Sequence, residues 1–254
     1  MKIKQFGDLE VRVADTPEEL GAHSAQAFAD AVQTELDRHD EINAIIALGA
    51  AEEPLFEALK QRTDIEWDRI NLLQIDVYVG VPLSDPRSGG ARLQRNLIDQ
   101  VRPKAFYPME GATEPVEAEL RRYTELLRRF PPHINVVGIG DTGHLGFIDP
   151  PCDFETSSDV IAVALAEQTR VQIAKANIFA HVDEVPRYGI SVTIPALMRA
   201  DHVIALVDEA DKAATMKQVV EGPVSIMCPA SILQTKPGSS LYLSAEAAAC
   251  LEPF

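Results

Sequence analysis

The side chains best placed by type and spacing to move protons are Asp141, His144 and Asp149, gathered in one stretch, and Asp76, well upstream. The stretch, residues 134–151, reads INVVGIGDTGHLGFIDPP. It opens on an apolar run broken only by Asn135 and Gly138. It then turns through Gly140, Asp141, Thr142 and Gly143, presents His144, and closes on Asp149, Pro150 and Pro151. A run bounded by glycines in this way is a buried strand ending in a tight loop. In open parallel α/β sheets, ligands sit at the carboxyl ends of strands. An imidazole with carboxylates a few residues away at such a place is a candidate acid/base site. The same Gly-Asp-Thr-Gly can also serve as a plain turn, with His144 capping a carbonyl. Asp76 ends a second apolar run, residues 70–75. It could share a crevice with His144 or simply cap the turn that follows.

The elements needed to hold these groups are legible as alternating patterns. Short apolar runs at residues 9–13, 42–48, 70–75, 134–139, 188–194, 203–207 and 241–243 read as strands. Helical stretches fall between them. The first begins at Asp15 or Thr16, with Pro17, Glu18 and Glu19 as first-turn proline and acids, and runs to about residue 38. Others cover 55–62, 91–101, 114–129, 164–175 and 229–234. Strands alternating with helices give an α/β fold whose parallel sheet is covered on both faces, with right-handed crossovers. No linker or repeat divides the chain, so residues 1–254 are expected to form one domain.

Two further places bear on a ligand. The run 42–48 leads into Gly49-Ala50-Ala51-Glu52-Glu53-Pro54 and a helix. A strand–Gly–helix junction is the usual seat of a phosphate, held by backbone N–H groups and often by hydroxyls. Here the loop offers two alanines and two acids. The acids suit a helix N-terminus and would repel a phosphate. Lys212 follows the run 203–207 and can reach a crevice at the strand ends, or lie on the surface.

Bulk properties exclude several classes. The formal net charge of −16 over 254 residues argues against nucleic acid, whose binding rests on Lys and Arg neutralising phosphates, and against an anionic membrane surface. No apolar run approaches the roughly 20 residues that span a bilayer. The N-terminus lacks a secretory apolar region. Cys152, Cys228 and Cys250 show no metal-binding spacing and fit reduced thiols. A cytoplasmic protein is expected.

The segments LLQIDVYVGVP, GIGDTGHLGFIDPP, DEVPRYGISVTIPALMRAD, DEADKAATMKQVVEGPVS and CPASILQTKPGSSLYL, in this order, span roughly residues 70–243. Together they resemble the glucosamine-6-phosphate isomerase/deaminase family, whose wider group includes the 6-phosphogluconolactonases. The resemblance implies a Rossmann-like three-layer domain with a central, mostly parallel sheet and no nucleotide. It also implies roles. Asp76, first in a pattern that reads Asp-Glu-Tyr-Val-Gly in the family and Asp-Val-Tyr-Val-Gly here, resembles the base that moves protons between C1 and C2. His144 resembles the ring-opening acid/base, and Asp149 its orienting partner, with Asp141 as a second candidate for that work. Thr142 stands where the family has Asp or Asn, and Ile148 where it has Asn. Lys212 matches a phosphate ligand. Substrate contacts are expected from Gly49, Ala50, Thr142, Gly143 and Lys212. The chemistry implied needs no metal or organic cofactor. The expected partner is a small sugar or sugar phosphate, with self-association into a homo-oligomer left open. Because the acid/base half is kept and the phosphate loop is altered, the chain reads as a diverged aldose–ketose isomerase/deaminase. Its sugar either has its phosphate held differently or has none. The alternatives are a lactonase-like hydrolase, in which His144 activates water, and a sugar-binding homologue without catalysis.

Overall fold

The structure is a computed structural model that describes residues 1–253. In chain order its regular elements begin with β1 (Lys2–Phe6), β2 (Leu9–Ala14), α1 (Pro17–Leu36), β3 (Ile42–Ile46) and α2 (Glu53–Gln61). There follow β4 (Ile70–Gln74), β5 (Asp76–Tyr78), α3 (Gly89–Leu93), a π-helical turn (Gln94–Ile98), α4 (Asp99–Val101), β6 (Ala105–Tyr107) and α5 (Val116–Arg129). The chain continues with β7 (Ile134–Gly138), β8 (Val160–Ala164), α6 (Glu167–Lys175), β9 (Tyr188–Val192) and α7 (Ile194–Leu197). It ends with β10 (His202–Val207), α8 (Ala213–Glu221) and β11 (Ser239–Ser244).

The main sheet has the order β1-β2-β11-β10-β7-β3-β4-β6. Every pairing in it is parallel except the β1–β2 hairpin. Its central strands are buried on both faces, which is why they read as nearly continuous apolar runs rather than alternating ones. In β3, Ile45 belongs to the apolar layer that includes residues of α5, α7 and α8, whereas Ile42, Ala44 and Ile46 belong to the layer that includes α1 and α2. The same division recurs in β7, with Val137 on one side and Ile134 and Val136 on the other. The local signals at α1 act as the sequence suggests. Thr16 caps the helix by accepting the Glu19 N–H at 3.1 Å, and Pro17 opens it.

The structure corrects some element assignments. The run at 188–194 is not in the main sheet. It forms β9, antiparallel to β5 and β8 in a separate three-stranded sheet. The helix expected over 164–175 starts at Glu167, because residues 160–164 form β8 and alternate between sheltered and exposed positions. The helix expected over 91–101 is broken by the π-helical turn. No helix among the described residues is long and apolar enough to cross a membrane.

Candidate active site

Strand order fixes where a ligand can enter. From β3 the chain builds outward through β4 and β6; from β7 it builds the other way through β10 and β11. The connections leaving the adjacent strands β3 and β7 therefore diverge and open a crevice at their carboxyl ends. A cavity of about 320 Å³ lies there. Its walls include Gly49 and Glu52 after β3, Asp76 after β4, Asp141 and His144 after β7, and Lys212 after β10.

Asp76 is held at the cavity by the way the chain leaves the sheet. After β4 the Gln74 carbonyl accepts the Tyr123 hydroxyl at 2.6 Å, and the Gln74 side-chain amide donates to the Asp76 carbonyl at 2.5 Å. The strand thus ends at Gln74, and β5 pairs with β9, setting Asp76 opposite Ser191. Burial raises the Asp76 carboxyl to about 7; the Glu52 carboxylate adds to this and Arg92 opposes it. A carboxylate base with a pKa near neutrality is strongly basic yet still available in its ionised form.

His144 is positioned by glycines. A side chain at Gly140 would put its Cβ 2.0 Å from His144 Cε1, so the ring rests directly on that backbone. Gly143 adopts φ +75°, a left-handed turn that glycine accepts without strain. The hydroxyls around the ring fix its proton. Thr142 Oγ1 donates to Asp149 Oδ1 at 2.8 Å, and Thr169 Oγ1 donates to the same oxygen at 2.7 Å. With its hydrogen committed, Thr142 Oγ1 can only accept from His144 Nδ1, 2.9 Å away. Nδ1 also lies 3.2 Å from Asp149 Oδ1. The imidazole is therefore protonated on Nδ1, leaving Nε2 to act on a ligand. Asp149 Oδ2 accepts the Ala166 N–H at 3.0 Å. Burial alone would raise the Asp149 carboxyl, but His144, Thr169 and the Ala166 amide together bring it down to about 2.

The far end of the cavity is acidic. Glu52 is only 1% exposed, and its Oε2 accepts the Gly49 N–H at 2.7 Å. Burial pushes Glu52 up to about 7, against the pull of the Gly49 amide and Lys212. Lys212 is buried and donates to Glu209 Oε1 at 2.8 Å. Burial raises Asp141 as well, with Lys212 pulling against it.

Of the residues singled out from sequence, Asp76, His144, Asp141, Gly49, Ala50 and Lys212 all line this one cavity. Asp149 stands behind His144, where an orienting partner belongs. Two expectations need correction. Asp141 makes no hydrogen bond to His144; the ring's Nδ1 is taken by Thr142 and Thr169, and the Asp141 backbone N–H is held by Gln172. Thr142 and Gly143 are not on the cavity wall. Thr142 serves the imidazole, and the Gly143 carbonyl is spent on the Ala230 N–H at 2.8 Å. Thr169 was not identifiable as part of the site, since a lone threonine in a polar helix carries no signal. Lys175 and Gln172 also line the cavity, and polar residues on a polar helix carry no such signal either. Cys152 is raised to about 11 by burial and is no activated nucleophile.

The fold and this site define an α/β enzyme that places an oriented histidine and a half-buried carboxylate at the topological switch point of a parallel sheet. Residues 15–242 match the family described as glucosamine-6-phosphate isomerases/6-phosphogluconolactonase, and the chain belongs to that family. A glucosamine-6-phosphate deaminase of Listeria welshimeri is 33% identical over 212 residues, covering 83% of this chain and 88% of that protein. The solved structure of a monomeric glucosamine-6-phosphate deaminase superposes with a TM-score of 0.86 at 26% identity, covering 94% and 99% of the two chains. A 6-phosphogluconolactonase from Thermotoga maritima shares the fold, with a TM-score of 0.73 at 16% identity over 92% and 98%.

Proposed function

We propose that this protein is an aldose–ketose isomerase that releases ammonia when its sugar carries a 2-amino group. The observation that carries the reading is the convergence of Asp76 and His144 on one cavity, with His144 tied through Thr142 to Asp149. His144 Nε2 takes the proton from the sugar's O1 and returns one to O5, opening the ring. The Asp76 carboxylate removes the proton from C2 and delivers it to C1, while O1 takes up the proton that the ammonium nitrogen gives up. The nitrogen is left as a 2-iminium group, which water converts to the ketose, with ammonia as the second product. The 33% identical relative is named a glucosamine-6-phosphate deaminase, and the acid/base residues here match what that reaction demands.

The test is ammonia and ketose production from glucosamine and glucosamine 6-phosphate by wild type, Asp76→Asn and His144→Gln. Both variants should keep the wild-type circular dichroism spectrum and lose turnover by about 10²–10⁴-fold, the usual worth of a positioned acid or base. Wild-type rates in either variant reject the assignment. Acid release from a 6-phosphogluconolactone, with no ammonia from either amino sugar, would move the protein to the lactonase branch.

A further inference from the structure

The loop between β3 and α2 sits where this fold offers backbone N–H groups to an anion. In this chain the anion is part of the loop itself. We propose that Glu52 occupies the place a substrate phosphate would take, and that the cavity accepts an amino sugar whose far end is an uncharged hydroxyl. This rests on the isomerase/deaminase reading and narrows its substrate class.

Several observations converge on it. The Gly49 N–H is satisfied by Glu52 Oε2 at 2.7 Å. Glu52 is almost wholly buried, so its carboxylate does not swing into solvent to make room. Its other oxygen, Oε1, is buried with no hydrogen-bond partner, although the side chain lines the cavity. An oxygen in that condition calls for a donor. A sugar hydroxyl supplies one; a phosphate dianion supplies only more acceptors. Gly138 makes room for this carboxyl, since a Cβ there would lie 2.7 Å from Oε1. Lys212, one of the two lysines on the wall, is already bound to Glu209. The wall as a whole carries the carboxyls of Glu52, Asp76, Asp141, Glu209 and Asp211 against the ammonium groups of Lys175 and Lys212. Above about pH 7, where Glu52 and Asp76 are ionised, that balance repels a dianion and attracts the ammonium of an amino sugar.

The experiment uses unreactive open-chain analogues, 2-amino-2-deoxyglucitol and its 6-phosphate. Their affinities for wild type, Glu52→Gly and Glu52→Gln are measured by calorimetry at pH 8, where Glu52 is largely ionised. Wild type should bind the unphosphorylated analogue at least about tenfold more tightly, the scale expected when like charges are set against each other. Glu52→Gly should reverse or erase the preference. Glu52→Gln keeps an acceptor for the Gly49 N–H while removing the charge, and should erase it without disturbing the fold. A smaller preference in wild type, any preference for the 6-phosphate, or an unchanged ratio in folded Glu52→Gln overturns the proposal. The analogues do not react, so this outcome stands apart from the roles of Asp76 and His144, which the ammonia assay on Asp76→Asn tests separately.

Discussion

Asp76 should cost this protein stability, and Asp76→Asn should restore it. Burial in the cavity wall, with the Glu52 carboxylate adding repulsion and Arg92 opposing it, lifts the Asp76 carboxyl from its ordinary 3.8 to about 7. A carboxyl with a raised folded-state pKa holds its proton more tightly in the folded protein than in the unfolded chain. The folded state is therefore unpenalised below pH 3.8. It loses stability as pH rises from 3.8 to about 7, and bears the full penalty above that. That interval is worth roughly 4 kcal/mol. The figure is an upper limit, because Asp76 is only half-buried and one side of it faces the cavity. Asparagine keeps the shape and removes the charge. In urea unfolding at pH 8 the variant should be more stable than wild type by ~1–4 kcal/mol, which is several degrees in Tm for a chain of this length. At pH 4 the difference should nearly vanish, while turnover is lost at both pH values. A variant that is less stable at pH 8, or whose advantage does not depend on pH, would refute burial of the charge as the source of the shift.

Other perturbations probe the histidine and its supports. Thr142→Val removes the hydroxyl between His144 and Asp149; kcat/KM should fall by about tenfold to a hundredfold, the worth of a hydrogen bond to a charged group, while analogue binding is unchanged. Thr169→Val removes the second donor to Asp149 and should raise that carboxyl from about 2, seen in the titration of its carboxyl carbon by NMR. Gly140→Ala drives a methyl into the imidazole and should cost about a hundredfold or more in rate with an unaltered circular dichroism spectrum. Tyr123→Phe leaves the Gln74 and Tyr107 carbonyls without their donor and should cost ~1–3 kcal/mol in urea unfolding.

How much of this could be read in advance depends on the range of the interaction concerned. β3, β7 and β10 are legible because strands buried on both faces are apolar at nearly every position, and α1 because Thr16 and Pro17 are local start signals. His144 and Asp149 are legible as a pair because a short loop brings them together. Asp76 and His144 are far apart in sequence, and only the parallel order of the sheet unites them. β9 lies outside the main sheet, and an apolar run does not say which sheet it joins; its pairing with β5 and β8 unites residues far apart in the chain. Thr169 reaches the site the same way, carried there by α6. Asp141 lines the cavity but does not reach Nδ1, because proximity in sequence to His144 is not contact: the tight turn at Gly143 brings Thr142 to that nitrogen.

Glu52 was visible as a misfit in a phosphate-type loop, but its effect on the base was not. The same carboxylate that fills the anion site also faces Asp76 electrostatically, and its repulsion is among the forces that raise Asp76 toward neutrality. An enzyme that binds a phosphorylated sugar brings such a negative charge in with its substrate; here the charge belongs to the protein and is present once Glu52, pushed up to about 7, has ionised. Glu52→Gln should therefore act on the chemistry as well as on selection. Without the repulsion, the Asp76 carboxyl falls below about 7 and ionises at lower pH. Since the base works as the carboxylate, the acid limb of kcat/KM for the unphosphorylated amino sugar should move to lower pH. The plateau rate should drop because the base is weaker. An acid limb that stays where it is in wild type would mean that burial alone sets Asp76, and that Glu52 has no part in tuning the base.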